Sequence, residues 1–195
     1  MLLAMSDQPK ALRSKAERGT PTGLHLSDSV ELNVDIACDD WENAPVLIEL
    51  VRGCVAAVLA KFVAADMPLE LSVRLTDDAE IEQLNCEFRG QNKPTNVLSF
   101  PCFERDELQD AYASAISGGP PVMLGDIIIT QGVTAQEARE QGKKFTDHLS
   151  HLVVHGLLHL LGFDHIEGSE ASEMETQEKN ILAELAIDDP YKGNN

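Results

Sequence analysis

The chain has 195 residues, 43% of them hydrophobic, which is enough for one domain with a sizeable core. Its longest apolar run falls far short of the roughly 18 residues that a membrane span needs. The net charge of -18, from 33 acids against 15 bases, argues against non-specific nucleic-acid binding, which depends on neutralising phosphates, while leaving room for a local basic patch.

Residues 1–28 are polar and weakly basic and contain Pro9, Gly19, Pro21 and Gly23, the composition of a disordered tail. The opening Met1-Leu2-Leu3-Ala4-Met5 is too short for a signal-peptide core, and charge follows it instead of preceding it. One domain is expected over 29–190, with a short tail at 191–195. Val30 to Ile36 alternates apolar and polar residues and predicts a strand. Asn43 is placed to cap a helix with Pro45 in its first turn, and the apolar spacing from Val46 to Val63 supports that helix. Leu69 to Leu75 alternates again, as a half-buried strand does, and Thr76 or Asp77 then caps a helix running to about Phe88. Val97 to Phe100 reads as a short strand ended by Pro101. Residues 102–121 read as a loop, with Gly118-Gly119-Pro120-Pro121 as a breaker, and Ile127-Ile128-Ile129 as a buried strand. Helices follow at about Thr134–Gln141, Thr146–Leu161 and Ser169–Leu185. The segment Asp164–Asp189 holds nine acids and one base, Lys179, and reads as the solvated face of the last helix. Strands mixed with helices predict an α+β fold, a small mixed sheet packed with helices. The cysteines Cys38, Cys54, Cys86 and Cys102 form no C-x-x-C pair and, without an export signal, are expected as buried thiols in a reducing cytoplasm.

The densest chemical signal is the run His155-Gly156-Leu157-Leu158-His159-Leu160-Leu161-Gly162-Phe163-Asp164-His165. His155 and His159 stand four apart in an apolar stretch that reads as helix, which puts their Cβ atoms roughly 5–6 Å apart on one face. Gly162 allows the chain to turn back, and His165 can return to the same ion. Three imidazoles and a water are a standard ligand set of a catalytic zinc site, so one zinc ion is expected on a helix-turn near the C-terminus. The spacing matches the metzincin protease pattern H-E-x-x-H-x-x-G-x-x-H, but Gly156 stands where those proteases carry their glutamate base. His151 shares the face of His155 and His159 and reads equally as a group that supports the ligands or touches substrate, or as a helix histidine with a local hydrogen bond; His148 and His25 carry no signal. Asp164 reads equally as a partner of a ligating imidazole or as a turn former.

Together with this run, three segments resemble the bacterial YbeY family: Phe88-Arg89-Gly90-Gln91-Asn92-Lys93-Pro94-Thr95-Asn96-Val97-Leu98-Ser99-Phe100-Pro101, then Leu124-Gly125-Asp126-Ile127-Ile128-Ile129, then Met174 through Ile181-Leu182. The resemblance covers residues 30–190 and leaves out the N-terminal tail and part of the 102–121 loop. It implies a metal-dependent endoribonuclease acting on single-stranded RNA, in rRNA maturation at the 3′ end of small-subunit rRNA and in ribosome quality control. It further implies His155, His159 and His165 as metal ligands, Arg89 as the active-site arginine clamping the phosphate, and Lys93 in the same turn as a phosphate contact. The partners so implied are rRNA, the small ribosomal subunit and assembly factors, with no membrane and no DNA partner. No residue stands out as general base; either metal-activated water or the RNA 2′-hydroxyl attacks.

Two other readings compete with this one. A zinc metalloprotease-like hydrolase shares the histidine spacing, with the absent glutamate counting against it. A non-catalytic ribosome-assembly factor with a structural zinc shares the ligands, although structural sites are usually closed by four ligands and rich in thiolate.

Overall fold

The computed structural model describes residues 25–163 and 168–192. Four strands form one sheet in the order β1 (Val30–Ile36), β2 (Leu69–Thr76), β4 (Val122–Thr130), β3 (Val97–Pro101). β1, β2 and β4 run parallel, and β3 pairs antiparallel with β4 at the edge. The two central strands bury every second side chain: Leu69, Leu71, Val73 and Leu75 on β2, and Val122, Leu124, Ile127 and Ile129 on β4. That spacing on β4 skips one residue, and the β2–β4 register shifts at Glu70/Leu71 to absorb it. Gly125 sits at the shift with φ 131°, and a Cβ there would collide with the Phe100 carbonyl across the β3 edge. Only glycine fits that close approach.

Six helices complete the fold: α1 (Ala44–Phe62), α2 (Asp78–Arg89), α3 (Glu107–Ile116), α4 (Gln131–Glu140), α5 (Phe145–Leu160) and α6 (Gly168–Glu184). α5 is the hub and packs against α1, α4, α6, β3 and β4. Its apolar residues therefore face core in nearly every direction, and between residues 151 and 160 only His151, His155 and His159 escape full burial. Gly156 lets α5 rest directly on the sheet: a Cβ there would lie 2.8 Å from Ile127 Cγ2 and 3.1 Å from Ser99 Oγ.

The α+β class, the mixed sheet and the order of elements match the expectation. Several local expectations do not. Residues 102–121 contain the helix α3, because Leu108 and Ala115 are buried and Ala111 and Tyr112 pack on the core, a helical stripe that the flanking glycines and prolines obscured. β4 is nine residues long, not three, starting directly after Pro121. Asn43 holds a left-handed conformation, φ 59°, and makes no side-chain cap to α1. Asp77, not Thr76, caps α2 by accepting from the Glu80 N–H at 2.9 Å. Of the cysteines, Cys54 is buried and its thiol is pushed up to about 12 by that burial, whereas Cys86 and Cys102 are exposed. The expected tail lies mostly outside the described residues; within it, Leu26 packs against the core. No helix among the described residues is long and apolar enough to cross a membrane.

Candidate metal centre

The three-turn stripe of α5 presents its imidazoles in different states. His159 Nδ1 donates to the Phe163 carbonyl at 3.0 Å. That carbonyl is in place because Gly162 turns the chain with φ 81°, while the Phe163 N–H bonds the Leu158 carbonyl. His155 Nδ1 donates to Glu178 Oε1 at 2.7 Å. Both Nδ1 atoms carry protons toward pure acceptors, so both rings in their neutral form aim a lone pair from Nε2. The two Nε2 atoms lie 3.2 Å apart. Two lone pairs at that distance repel unless a shared cation, a proton or a metal ion, lies between them. The donor set therefore fits a borderline divalent cation such as zinc.

Glu178 holds this arrangement from behind. Its side chain is 1% exposed and accepts from His155, from His151 Nε2 at 3.2 Å and from the Tyr191 hydroxyl. Burial opposes its ionisation, but the hydrogen bonds from His151, His155 and Tyr191 outweigh it and hold the carboxyl far below the usual carboxylate range. His151, His155 and Glu178 also bring one potential ligand atom each within 4.8 Å of one another, a group that could hold a metal ion.

His155 and His159 open into a cleft of about 650 Å³. Its walls come from the α5 turn, from β3 and from the segment before α3, and they include Arg89, Asn96, Ser99 and Arg105. Arg89 is the last residue of α2, and Gly90 follows in the left-handed conformation, φ 67°. Asn85 pins the turn beyond it by donating to the Lys93 carbonyl at 2.8 Å. Glu104 is the only acid on the described wall, in a chain with more than two acids per base.

Three of the expected site residues thus meet in one cleft: Arg89, His155 and His159. Lys93 is exposed and does not line it. His165 and Asp164 lie outside the described residues. His151 is turned to Glu178, and His148, which carried no signal, is buried and bound to Glu137 Oε2 at 2.8 Å. Asn96 of the cleft wall donates to the same Glu137, at 3.0 and 3.3 Å. Glu178 is the residue that sequence reasoning missed. It falls at helical spacing among buried Met174, Ile181 and Leu182, and an acid on an apolar stripe was the available signal.

Residues 35–186 match the family model described as Endoribonuclease YbeY. The chain belongs to the YbeY family. It is 46% identical over 169 residues to the Endoribonuclease YbeY of Paramagnetospirillum magneticum, covering 85% of this chain and 98% of that one. With the Endoribonuclease YbeY of Parvibaculum lavamentivorans it shares 44% identity over 184 residues, 94% and 93% of the two chains. A Thermotoga maritima protein solved in solution has a similar fold, with a TM-score of 0.53 and 28% identity over 79% of this chain and 88% of that one. The matched span of the YbeY family runs from the end of β1 through α6 and so includes Arg89, both α5 ligand candidates and Glu178.

Proposed function

We propose that this chain is a metal-dependent endoribonuclease that cuts single-stranded RNA, with one zinc ion held by His155, His159 and His165. The observation that carries the reading is the pair of Nε2 atoms 3.2 Å apart, opening into the cleft that also holds Arg89. The alternative cation group of His151, His155 and Glu178 is less apt, because its carboxylate already accepts from three donors. Zinc at the Nε2 pair would supply Lewis acidity, acidifying water and polarising a phosphoryl oxygen. The protein's own residues do the rest. Glu178 and the Phe163 carbonyl set the imidazole tautomers and orientations. Arg89 clamps the scissile phosphate in two-pronged geometry and offsets charge in the transition state. Lys93, outside the cleft wall, reaches RNA only further along the strand.

The protease reading is opposed at Gly156, where a Cβ would already press on Ile127 and Ser99 and leave little room for the glutamate of those proteases. A purely structural zinc fits poorly with imidazoles that open onto so large a cleft. Membership of the family supports a role in rRNA maturation, at the 3′ end of small-subunit rRNA, in the cytoplasm with the small subunit and assembly factors as partners. Metal content and cleavage measured on one preparation test the reading. Wild type should hold one zinc per chain and cut single-stranded RNA but not the same sequence as DNA, and His159→Ala should lose both metal and cleavage. A His159→Ala protein with full zinc, or a zinc-loaded wild type inert on RNA, overturns it. A 2′,3′-cyclic phosphate on the product marks attack by the 2′-hydroxyl, and its absence marks attack by water.

A further inference from the structure

The cleft has a second cationic wall that the motif does not contain. Arg105 lies in the segment between β3 and α3, a stretch to which the sequence assigns no role. Its backbone rests on the turn after α5: a Cβ on Gly162 would fall 2.8 Å from Arg105 Cβ and 2.9 Å from its Cα. Its guanidinium carbon sits 5.4 Å from the centroid of the Phe163 ring. Phe163 is the residue whose carbonyl orients His159, so Arg105 is held at a fixed place relative to the candidate metal ligand. The residue is exposed, it lines the cleft with Arg89, and among the described residues no carboxylate pairs with it. An unpaired arginine is unexpected where acids outnumber bases 33 to 15. Charge of this kind, kept open beside a site that handles phosphate, fits a phosphate diester.

Resting on the endoribonuclease reading, we infer that Arg105 is a second phosphate-binding residue, holding an RNA phosphate that flanks the scissile one. Arg89 serves the reacting phosphate and Arg105 the strand beside it. The aromatic ring beneath the guanidinium limits its motion, so less freedom is lost when the phosphate binds. Such a contact acts on binding and on its salt dependence, not on the chemical step.

The test is single-turnover cleavage of a single-stranded RNA by zinc-loaded wild type, Arg105→Gln, Arg105→Lys and Lys93→Gln, titrated at several salt concentrations. Arg105→Gln should raise the half-saturating protein concentration about tenfold and flatten the log–log salt slope by about 0.7, the value of one phosphate contact on a single strand. Its maximal rate, zinc content and melting temperature should stay at wild-type values. Arg105→Lys should recover most of the affinity. Unchanged half-saturation and slope in Arg105→Gln would overturn the inference, leaving Arg105 as a cover for Phe163. So would a loss of zinc or of melting temperature in both Arg105 variants, or a salt slope that responds to Lys93→Gln and not to Arg105→Gln. A wild type that neither binds nor cuts the RNA fails at the earlier step and takes the endoribonuclease reading with it.

Discussion

Glu178 is an unusual acid: nearly inaccessible, ionised, and shared by His151, His155 and Tyr191. An amide in its place has one acceptor oxygen and one donor nitrogen. Glu178→Gln can then satisfy only one of the two imidazoles as before. If its NH2 faces His155, that ring moves its proton to Nε2, and the nitrogen aimed at the metal stops being a ligand. Glu178→Gln should therefore weaken zinc affinity by about 10–100-fold, read by competition with a chelator, while the protein stays folded. Unaltered affinity would mean that Nδ1 of His155 is oriented by something else. On the proposed reading Arg89 serves the reaction and not the fold, in keeping with its exposure at a helix end. Arg89→Ala should keep zinc and melting temperature and slow single-turnover cleavage roughly 10²-fold, a transition-state contact of about 3 kcal/mol. Arg89→Lys retains charge without the planar fork and should recover little. Wild-type rates in Arg89→Ala would take the residue out of the mechanism.

Among the elements, α5 does the most. It is buried on nearly every side and exposes a stripe only where the histidines stand. Its distance from the sheet is set by Gly156, so Gly156→Ala must push the helix off Ile127 and Ser99 or distort the sheet. Overpacking of this kind costs about 1–3 kcal/mol, seen as a clear fall in melting temperature. The same shift would tilt the imidazoles relative to β3, so cleavage should fall further than stability alone explains. A Gly156→Ala protein with wild-type melting temperature and activity would show that the contact is slack. α3 matters for a different reason. It anchors the segment that brings Phe103, Glu104 and Arg105 to the cleft, with Leu108 and Ala115 buried beneath it.

For the molecule as a whole, acid is the sensitive direction. Glu137 accepts from His148 and Asn96 and joins α4, α5 and the turn before β3. Burial opposes its charge, but the bonds from His148 and Asn96 outweigh that and hold its pKa below the ordinary carboxylate value. A carboxylate with a depressed folded pKa adds stability that is fully present above its unfolded pKa, about 4.3, and is lost as pH falls through the folded value. Glu80, bonded to Thr76 and Arg74, is shifted the same way. The melting temperature should thus hold from neutrality to about pH 5 and drop below about pH 4. Glu137→Gln should lower it near pH 7 and flatten the acid limb. The measurement is thermal unfolding at fixed ionic strength, because the charge of -18 makes the chain salt-sensitive as well. An acid limb identical in wild type and Glu137→Gln would remove that network from the account.

By itself the sequence determined whatever depends on neighbours along the chain. Helical spacing puts His155 and His159 on one face, alternation marks β1 and β2, and Thr76 or Asp77 marks the start of a helix that runs to about Phe88; all are short-range rules of backbone geometry. Arg89 came instead from the resemblance of the run Phe88 to Pro101 to the YbeY family, since no rule of backbone geometry singles it out. What the tertiary structure decided is which distant side chains share a volume. Glu178 reaches His155 across 23 positions of chain, and Asn96 reaches Glu137 across 41. No local pattern encodes such pairs, because they arise when α6 packs on α5 and when α4 packs beside β4, the strand that pairs with β3. Lys93 and Arg105 show the same division. The sequence sets Lys93 in the motif turn and leaves Arg105 in an apparent loop. Packing puts Arg105 on the Gly162 turn, in the cleft, and Lys93 outside the cleft wall.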